Sequence, residues 1–161
     1  MSTYTASQVK QQRLHSGDRQ PDQQFNDQEY LYRRIPKDAC VNGILSPIAL
    51  KFDENSGQSF NRARYSIPSD VLEPECCDGK EITEHEVYSM KVACLPFKLP
   101  ESGVPVYTFQ VKHVPKPACY PHSEIWCNQV GEIESPYECP PKQIRISMRV
   151  KLATCLSLHV E

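Results

Sequence analysis

Glycine and tryptophan are scarce in this chain, which has only 6 glycines and 1 tryptophan among 161 residues. The glycine-rich loops that cradle phosphates, GxxxxGK[ST] and GxGxxG, are absent from the sequence, as are HExxH, GxSxG and CxxC. No apolar run approaches the roughly 18 residues that a membrane-spanning helix needs. The opening residues MSTYTASQVKQQRLHSGD contain no apolar segment of a secretory leader, so we expect a cytoplasmic protein without a membrane partner.

Positive and negative charges nearly cancel: the chain has 18 Lys and Arg and 20 Asp and Glu, and its formal net charge is −2. A near-neutral chain is not expected to bind polyanions over a broad surface. The segment YLYRR alternates aromatic and basic side chains as nucleic-acid binders do, but Tyr30 and Tyr32 fit a strand edge equally well. We therefore do not expect nucleic acid as a partner.

Eight cysteines are present, an even number that would permit four bridges. In a chain without an export signal, reduced thiols that pack as small apolar side chains are the more common state. We therefore expect reduced cysteines, several of them buried, and the sequence does not decide whether any pair oxidises. Neighbouring acidic residues raise the pKa of a thiol, so the adjacent pair Cys76 and Cys77, in a stretch rich in Glu and Asp, is a poor candidate for an activated nucleophile.

The length of the chain predicts one domain, and a change in composition near residue 28 separates that domain from an N-terminal tail. Residues 1–27 are rich in Gln, Asp and Arg and nearly free of aliphatic side chains, so we expect a flexible N-terminal tail with at most an unanchored short helix. Residues 28–161 form the expected single domain.

Within that domain, apolar and polar residues alternate with the period of a strand in HEVYSMKVACLPF, VPVYTFQVKHV and SEIWCNQVGEI. Short links between these runs favour antiparallel pairing. The last segment, PPKQIRISMRVKLATCLSLHVE, fits either a helix or a strand, and its Pro-Pro start and its length favour a helix. The predicted fold is α+β, a mostly antiparallel sheet packed against one or two helices.

The strongest candidate site is the pair His122 and Glu124, which a strand would place on one face. A carboxylate beside an imidazole holds its tautomer and raises its pKa, so the pair is the candidate catalytic acid and base. Guanidinium groups suit phosphate and carboxylate ligands. The candidate ligand-binding arginines are Arg33, Arg34, Arg62 and Arg64.

A zinc site is an alternative interpretation of the same region. Cys119, His122, Cys127 and Cys139 give C-x2-H-x4-C-x11-C, a ligand set that zinc prefers. The spacing departs from that of standard zinc knuckles, and buried cysteines in a turn and a strand explain it without a metal. We therefore assign no metal ligand and no cofactor.

The order of LYRRIP, SFNRARYSIPSDVL, YPHSEI and IRISMRVKLA resembles small bacterial proteins often found among mobile gene cassettes or defence-type clusters. No established activity is known for that group, so the resemblance implies a bacterial cytoplasmic protein and nothing finer. The residues that carry it are Leu31, Tyr32, Arg33, Arg34, Ser59, Arg62, Pro121, His122, Glu124 and Ile125.

These observations favour a non-catalytic binding or accessory protein that holds a small anionic ligand or a partner peptide at the Arg/His/Glu cluster. We expect a protein partner or a second copy of the chain. The first alternative is a small nucleotide- or RNA-directed enzyme with His122 as general acid and base and the arginines as phosphate clamps. That alternative requires His122 and Arg62 to converge on one pocket. A zinc-stabilised structural module is the second alternative.

Overall fold

The structure is a computed structural model that describes residues 3–50, 57–95, 98–100, 105–129 and 139–160. Within these residues the chain forms nine strands and two α-helices. The strands are β1 (Tyr30–Pro36), β2 (Cys40–Val41), β3 (Ile44–Leu45), β4 (Gln58–Arg62), β5 (His85–Lys91), β6 (Lys98–Leu99), β7 (Tyr107–His113), β8 (His122–Gln129) and β9 (Ser157–Leu158). The helices are α1 (Ala6–Leu14) and α2 (Lys142–Cys155).

Among the described strands, seven form one sheet in the order β6-β7-β8-β4-β1-β5-β9, and every neighbouring pair is antiparallel. The remaining two, β2 and β3, form a small hairpin beside it. The predicted α+β fold with a mostly antiparallel sheet is therefore confirmed. No helix in the described part of the chain is long and apolar enough to cross a membrane.

The ambiguous C-terminal segment forms helix α2, as its Pro-Pro start predicts. Pro141 precedes the first turn with φ of −55°, a value that the proline ring favours at a helix start. Met148 and Leu152 lie one turn apart on the buried face of α2, and both are fully buried. They pack with core side chains from one face of the sheet, which include Leu31, Ile35, Phe60, Met90 and Ile125.

The opposite face of the sheet is covered by the segment between β4 and β5, which contains the short 3-10 helices Pro68–Leu72 and Pro74–Cys76. The first of these helices contacts β1, β4 and β5. Tyr32, Asn61 and His122 lie side by side on this face, because Tyr32 pairs with Asn61 across β1 and β4, and Asn61 pairs with His122 across β4 and β8. This polar row forms the floor of the candidate site.

The N-terminal segment lies against the domain in the structure. Helix α1 begins with a capping box formed by Thr5 and Gln8, and its last residue, Leu14, is 1% exposed. Arg13 makes two hydrogen bonds of 2.7 Å to the buried carboxylate of Asp70. The expectation that nothing apolar anchors the helix is therefore wrong, because a single leucine and polar contacts are enough to place it.

A second set of contacts holds residues 18–29. Arg62 is fully buried, and its Nε donates a 2.9 Å hydrogen bond to Glu29 Oε1 while Nη2 donates to the carbonyl of Gln24 at 2.8 Å. The ring of Phe25 lies 3.9 Å below the guanidinium carbon. The carboxylate of Glu29 and the backbone carbonyl of Gln24 therefore act as partners for a buried cation, which the low hydrophobicity of this segment does not reveal.

A disulfide joins Cys76 to Cys119, with their Cα atoms 5.0 Å apart. The other six cysteines are free. The expectation of reduced thiols is therefore wrong for this pair, because the fold brings together two cysteines 43 residues apart that composition and compartment arguments cannot connect. The bridge ties the 3-10 helix Pro74–Cys76 to the turn before β8, and Leu14 packs against both of its cysteines.

Candidate functional site: a cavity between two separating strands

The candidate site begins where β1 and β4 separate. The two strands pair only at Leu31 with Arg62 and at Tyr32 with Asn61. Beyond that point β1 continues along β5 as far as Pro36, while β4 continues along β8. The separation leaves a gap in the sheet, and a cavity of about 180 Å³ opens there.

Three predicted site residues line this cavity together: Arg33, Arg34 and His122. None of its described lining residues is acidic. The other lining residues are Tyr32, Gly57, Ser59, Phe60, Asn61, Val71 and Cys76. The lining therefore combines two cations, several hydrogen-bonding groups and one sulfur.

Arg33 alternates with Arg34 along β1, so its side chain leaves the strand on the face of Leu31 and Ile35, and it reaches the cavity where β1 and β4 separate. Its Nη1 donates a 2.9 Å hydrogen bond to the Ser59 carbonyl, and its guanidinium carbon lies 5.4 Å from the ring centre of Phe60. Its Nε is buried and has no hydrogen-bond partner among the described residues. Burial, aided by the charge of Arg34, lowers the pKa of Arg33 to about 10, so the group remains charged at neutral pH. A cation with a buried and unused donor atom is suited to an anionic ligand.

Arg34 supplies the second charge and makes no ion pair or hydrogen bond with any residue that the structure describes. It lies near Asp78 and Cys77. The pKa of Asp78 is lowered chiefly by its hydrogen bond to Lys116, with a smaller contribution from Arg34, whereas burial raises the pKa of Cys77 and the charge of Arg34 only opposes that rise. An unpaired guanidinium keeps all of its donors available. Together with Arg33 it gives the cavity a charge of about +2 at neutral pH.

His122 is a neutral acceptor on the cavity wall. Its Nδ1 lies 2.7 Å from the carbonyl oxygen of Val114, and since a carbonyl only accepts, Nδ1 carries the hydrogen. Burial lowers the pKa of His122 below its ordinary value of 6.5, an effect that the bond to Val114 partly opposes. Its Nε2 therefore accepts the hydroxyl of Ser59, at 3.3 Å.

Glu124 has a structural role in place of the predicted catalytic one. Its Oε1 accepts hydrogen bonds from the backbone N–H of Gly57 at 2.8 Å and from the indole of Trp126 at 3.1 Å. Gly57 is needed there, because a Cβ would lie 2.5 Å from the Ile125 carbonyl oxygen. The expectation that Glu124 holds the tautomer of His122 is wrong, since the Val114 carbonyl does so.

Arg62 and Arg64 lie away from the cavity. Asn61 faces the same side as His122, so its neighbour Arg62 projects to the opposite face, where it binds Glu29. Arg64 is 57% exposed in its side chain and lies 3.5 Å from a carboxylate oxygen of Asp22. Neither residue lines the cavity, so the fold does not bring Arg62 and Arg64 together with His122 as predicted. The enzyme alternative required Arg62 beside His122, and this geometry removes it in that form.

The zinc alternative loses a ligand to the disulfide. Cys119 is bonded to Cys76, so it has no thiolate to offer a metal ion. Within the described ranges, no group of three or more His, Cys, Asp and Glu side chains is placed to hold a metal ion.

Sequence reasoning missed Asn61 and Cys76 as cavity residues, and it placed Ser59 only within the resemblance. Their signal was weak: Ser59 and Asn61 alternate with Phe60 in SFNRAR, so they share a face once β4 is known. Cys76 joins them only through the fold of the segment after β4, which no periodicity predicts.

Comparison with family models, curated proteins and solved structures finds no match for the chain.

Proposed function

We propose that this chain is a binding protein for a small dianion, such as a phosphate group or a short dicarboxylate, in the cavity lined by Arg33, Arg34 and His122. The observation that supports the proposal best is the pair of arginines without a described acidic partner on the cavity wall. Placing two like charges together is unfavourable unless an anion is bound between them.

The size of the cavity supports a small ligand. Its volume of about 180 Å³ is below the range of about 300–1,000 Å³ typical of sites for drug-sized ligands. A tetrahedral oxyanion or a short carboxylate is therefore favoured over a whole nucleotide. Guanidinium donors recognise such oxyanions through paired hydrogen bonds, and the Nε of Arg33 and the guanidinium of Arg34 have no hydrogen-bond partner among the described residues.

The direct test is titration calorimetry with sulfate and with inorganic phosphate. We expect binding in the micromolar to low millimolar range, and we expect Arg34→Gln to weaken it by about tenfold or more, since a charge-assisted hydrogen bond contributes about 1.5–3 kcal/mol. The matched control is Arg64→Gln, which removes the same charge from an exposed site and should change the affinity less than about twofold.

Two results would overturn the proposal. One is the absence of sulfate and phosphate binding by the folded chain. The other is an equal loss of affinity in Arg34→Gln and Arg64→Gln, which would assign binding to general surface charge.

The cellular compartment of the protein is also part of this proposal. Four free cysteines, Cys40, Cys94, Cys139 and Cys155, are partly exposed, and such thiols persist in reducing compartments. These free thiols support the cytoplasmic location expected above, whereas the bridge between Cys76 and Cys119 is of a kind that is rare in that compartment. The resemblance to bacterial proteins adds a bacterial source. A protein partner or a second copy of the chain stays a prediction, to be tested by the oligomeric state in sedimentation.

A further inference from the structure

The disulfide touches the anion cavity from one side only. Cys76 lines the cavity together with Arg34 and His122. Cys119 has no exposed surface and lies beneath Leu14. A small thiol held in the cavity would therefore meet Sγ of Cys76 and not Sγ of Cys119.

Asn61 lies against both sulfurs with opposite ends of its amide. Its Nδ2 is 3.5 Å from Sγ of Cys76, and its Oδ1 is 3.5 Å from Sγ of Cys119. A bridged sulfur has no hydrogen to donate to Oδ1. After reduction, the Cys119 thiol can donate to Oδ1 and a Cys76 thiolate can accept from Nδ2. The amide is therefore complementary to the opened pair, which favours a bridge that opens readily.

The charge of the cavity adds selectivity to this arrangement. Arg33 and Arg34 attract a carboxylate, and nearby cations also stabilise an attacking thiolate and the thiolate left at Cys76. Thiol–disulfide exchange depends on access to the attacked sulfur and on the thiolate fraction of the attacking group. Exposure to the cavity, the charges of Arg33 and Arg34 and the amide of Asn61 thus all favour reaction at Sγ of Cys76.

We propose that Cys76 and Cys119 form a redox-active couple that exchanges with small carboxylate-bearing thiols bound in the cavity. This inference rests on the anion binding proposed above and names a class of ligand for it. The cavity would hold the carboxylate of the thiol at Arg33 and Arg34 and direct its sulfur to Cys76.

The reaction takes two equivalents of the thiol. The first thiolate attacks Sγ of Cys76, a mixed disulfide forms, and Cys119 leaves with the electron pair of the broken bond and takes a proton from water. A second thiolate attacks the sulfur of the bound thiol and releases Cys76 as a thiolate. The bridge is reduced to two thiols, and the small thiol is oxidised to its own disulfide. The reverse reaction with that small disulfide restores the bridge.

Cys77 provides an internal control because it is adjacent to Cys76 yet shielded. Its Sγ lies 3.3 Å from the Val71 carbonyl as a donor, and its side chain is buried. A protonated and buried thiol is a poor nucleophile. We expect Cys77 to remain unmodified while Cys76 reacts.

The experiment compares 3-mercaptopropionate with its methyl ester, which has the same skeleton and no charge. Rates of bridge opening in the folded chain are measured at equal thiolate concentrations, with rapid alkylation and peptide mass mapping. We expect the acid to react about tenfold faster than the ester, with the adduct on Cys76 and the alkyl group on Cys119. Sulfate should slow the acid and leave the ester unchanged, and Arg34→Gln, but not Arg64→Gln, should remove the preference.

The outcomes separate this inference from the proposed function. If sulfate binds the cavity by calorimetry but the acid and the ester react at equal rates, or adducts form on Cys119, the redox inference is wrong and the anion site stands. If sulfate does not bind and the preference for the acid is absent, both proposals fail. A preference for the acid that persists in denaturant would also overturn the inference, because the unfolded chain has no cavity.

Discussion

The backbone N–H of Asp22 donates a 2.8 Å hydrogen bond to Nδ1 of His113, which lies 91 residues away in the sequence. Nε2 of the same ring carries its hydrogen and donates to the Tyr120 carbonyl at 2.7 Å. The imidazole is therefore neutral, with one nitrogen accepting and the other donating. Protonation of Nδ1 would remove the acceptor that holds Asp22.

This relationship predicts that mild acid loosens the N-terminal segment. Burial lowers the pKa of His113 below its ordinary value of 6.5, and the neighbouring Arg62 and Arg19 also lower it, while Asp22 and the bond to Tyr120 oppose them. A lowered folded-state pKa contributes stability above pH 6.5 that is lost as the pH falls through the folded-state value. Hydrogen exchange, corrected for intrinsic rates, should show less protection in residues 18–29 at pH 5 than at pH 7.

The control for this prediction is His113→Asn, whose Oδ1 can accept from Asp22 without titrating. It should reduce the difference in protection between the two pH values. Equal protection of residues 18–29 at both pH values in the natural chain would contradict the prediction.

Replacing Arg62 should reduce stability strongly, whereas replacing Arg64 should have little effect on it. Arg62→Met should lower the free energy of unfolding by about 3–5 kcal/mol, since it leaves the carboxylate of Glu29 buried without its cation. Arg64→Gln should change it by less than about 0.5 kcal/mol. Urea unfolding measures both. The double variant Arg62→Met with Glu29→Gln should lose less than the sum of the single changes, and strict additivity would argue against the pairing.

Replacing Glu124 by Gln and by Ala should affect the stability and the tryptophan fluorescence of the protein differently. Gln keeps an oxygen acceptor for Gly57 and Trp126, whereas Ala leaves their N–H groups without it, at a cost of about 1–3 kcal/mol. Trp126 is the single tryptophan of the chain, so the emission spectrum reports on this site. We expect the natural spectrum in Glu124→Gln and a red shift in Glu124→Ala. A red shift in both variants would indicate that the carboxylate charge is required.

Protonation of His122 should make anion binding stronger as the pH falls. Its folded-state pKa lies below 6.5, so the ring gains its charge only as the pH falls beneath that value. Sulfate keeps its charge of −2 over this range, and its affinity should rise about 3–10-fold between pH 7.5 and 5.5, since a rise of one pKa unit on binding equals a factor of ten. His122→Gln should abolish the rise, and a rise that survives this change would exclude His122 from the site.

The fold was largely accessible from the sequence, because the signals that decide it are local. Alternation over Tyr107–His113 and His122–Gln129 marks strands by their period of two, and the Pro-Pro start marks helix α2. The packing of the N-terminal segment was not accessible. It depends on one buried leucine and on polar side chains whose partners, such as Asp70 for Arg13, lie 57 residues distant.

The candidate site was accessible in part. Arg33, Arg34 and His122 were identified by residue type, and the fold gathers them. Arg62 has the same chemistry, but a shift of one residue along β4 turns a side chain to the other face. Composition cannot supply that register. It follows from the pairing of Asn61 with His122, which only the structure shows.

The short turn at residues 116–121 receives contacts from distant parts of the chain, and this has a consequence for biosynthesis. The Ser16 hydroxyl binds the Lys116 carbonyl, and the Tyr120 hydroxyl binds the Gln20 carbonyl, each across 100 residues. A ribosome therefore releases the first helix before its docking surface is complete. Asp70 and Cys76, which contact the helix, are made earlier, but until residue 121 emerges the helix lacks Cys119 and the turn around it. A nascent-chain binding factor would find that side of the helix accessible throughout the interval.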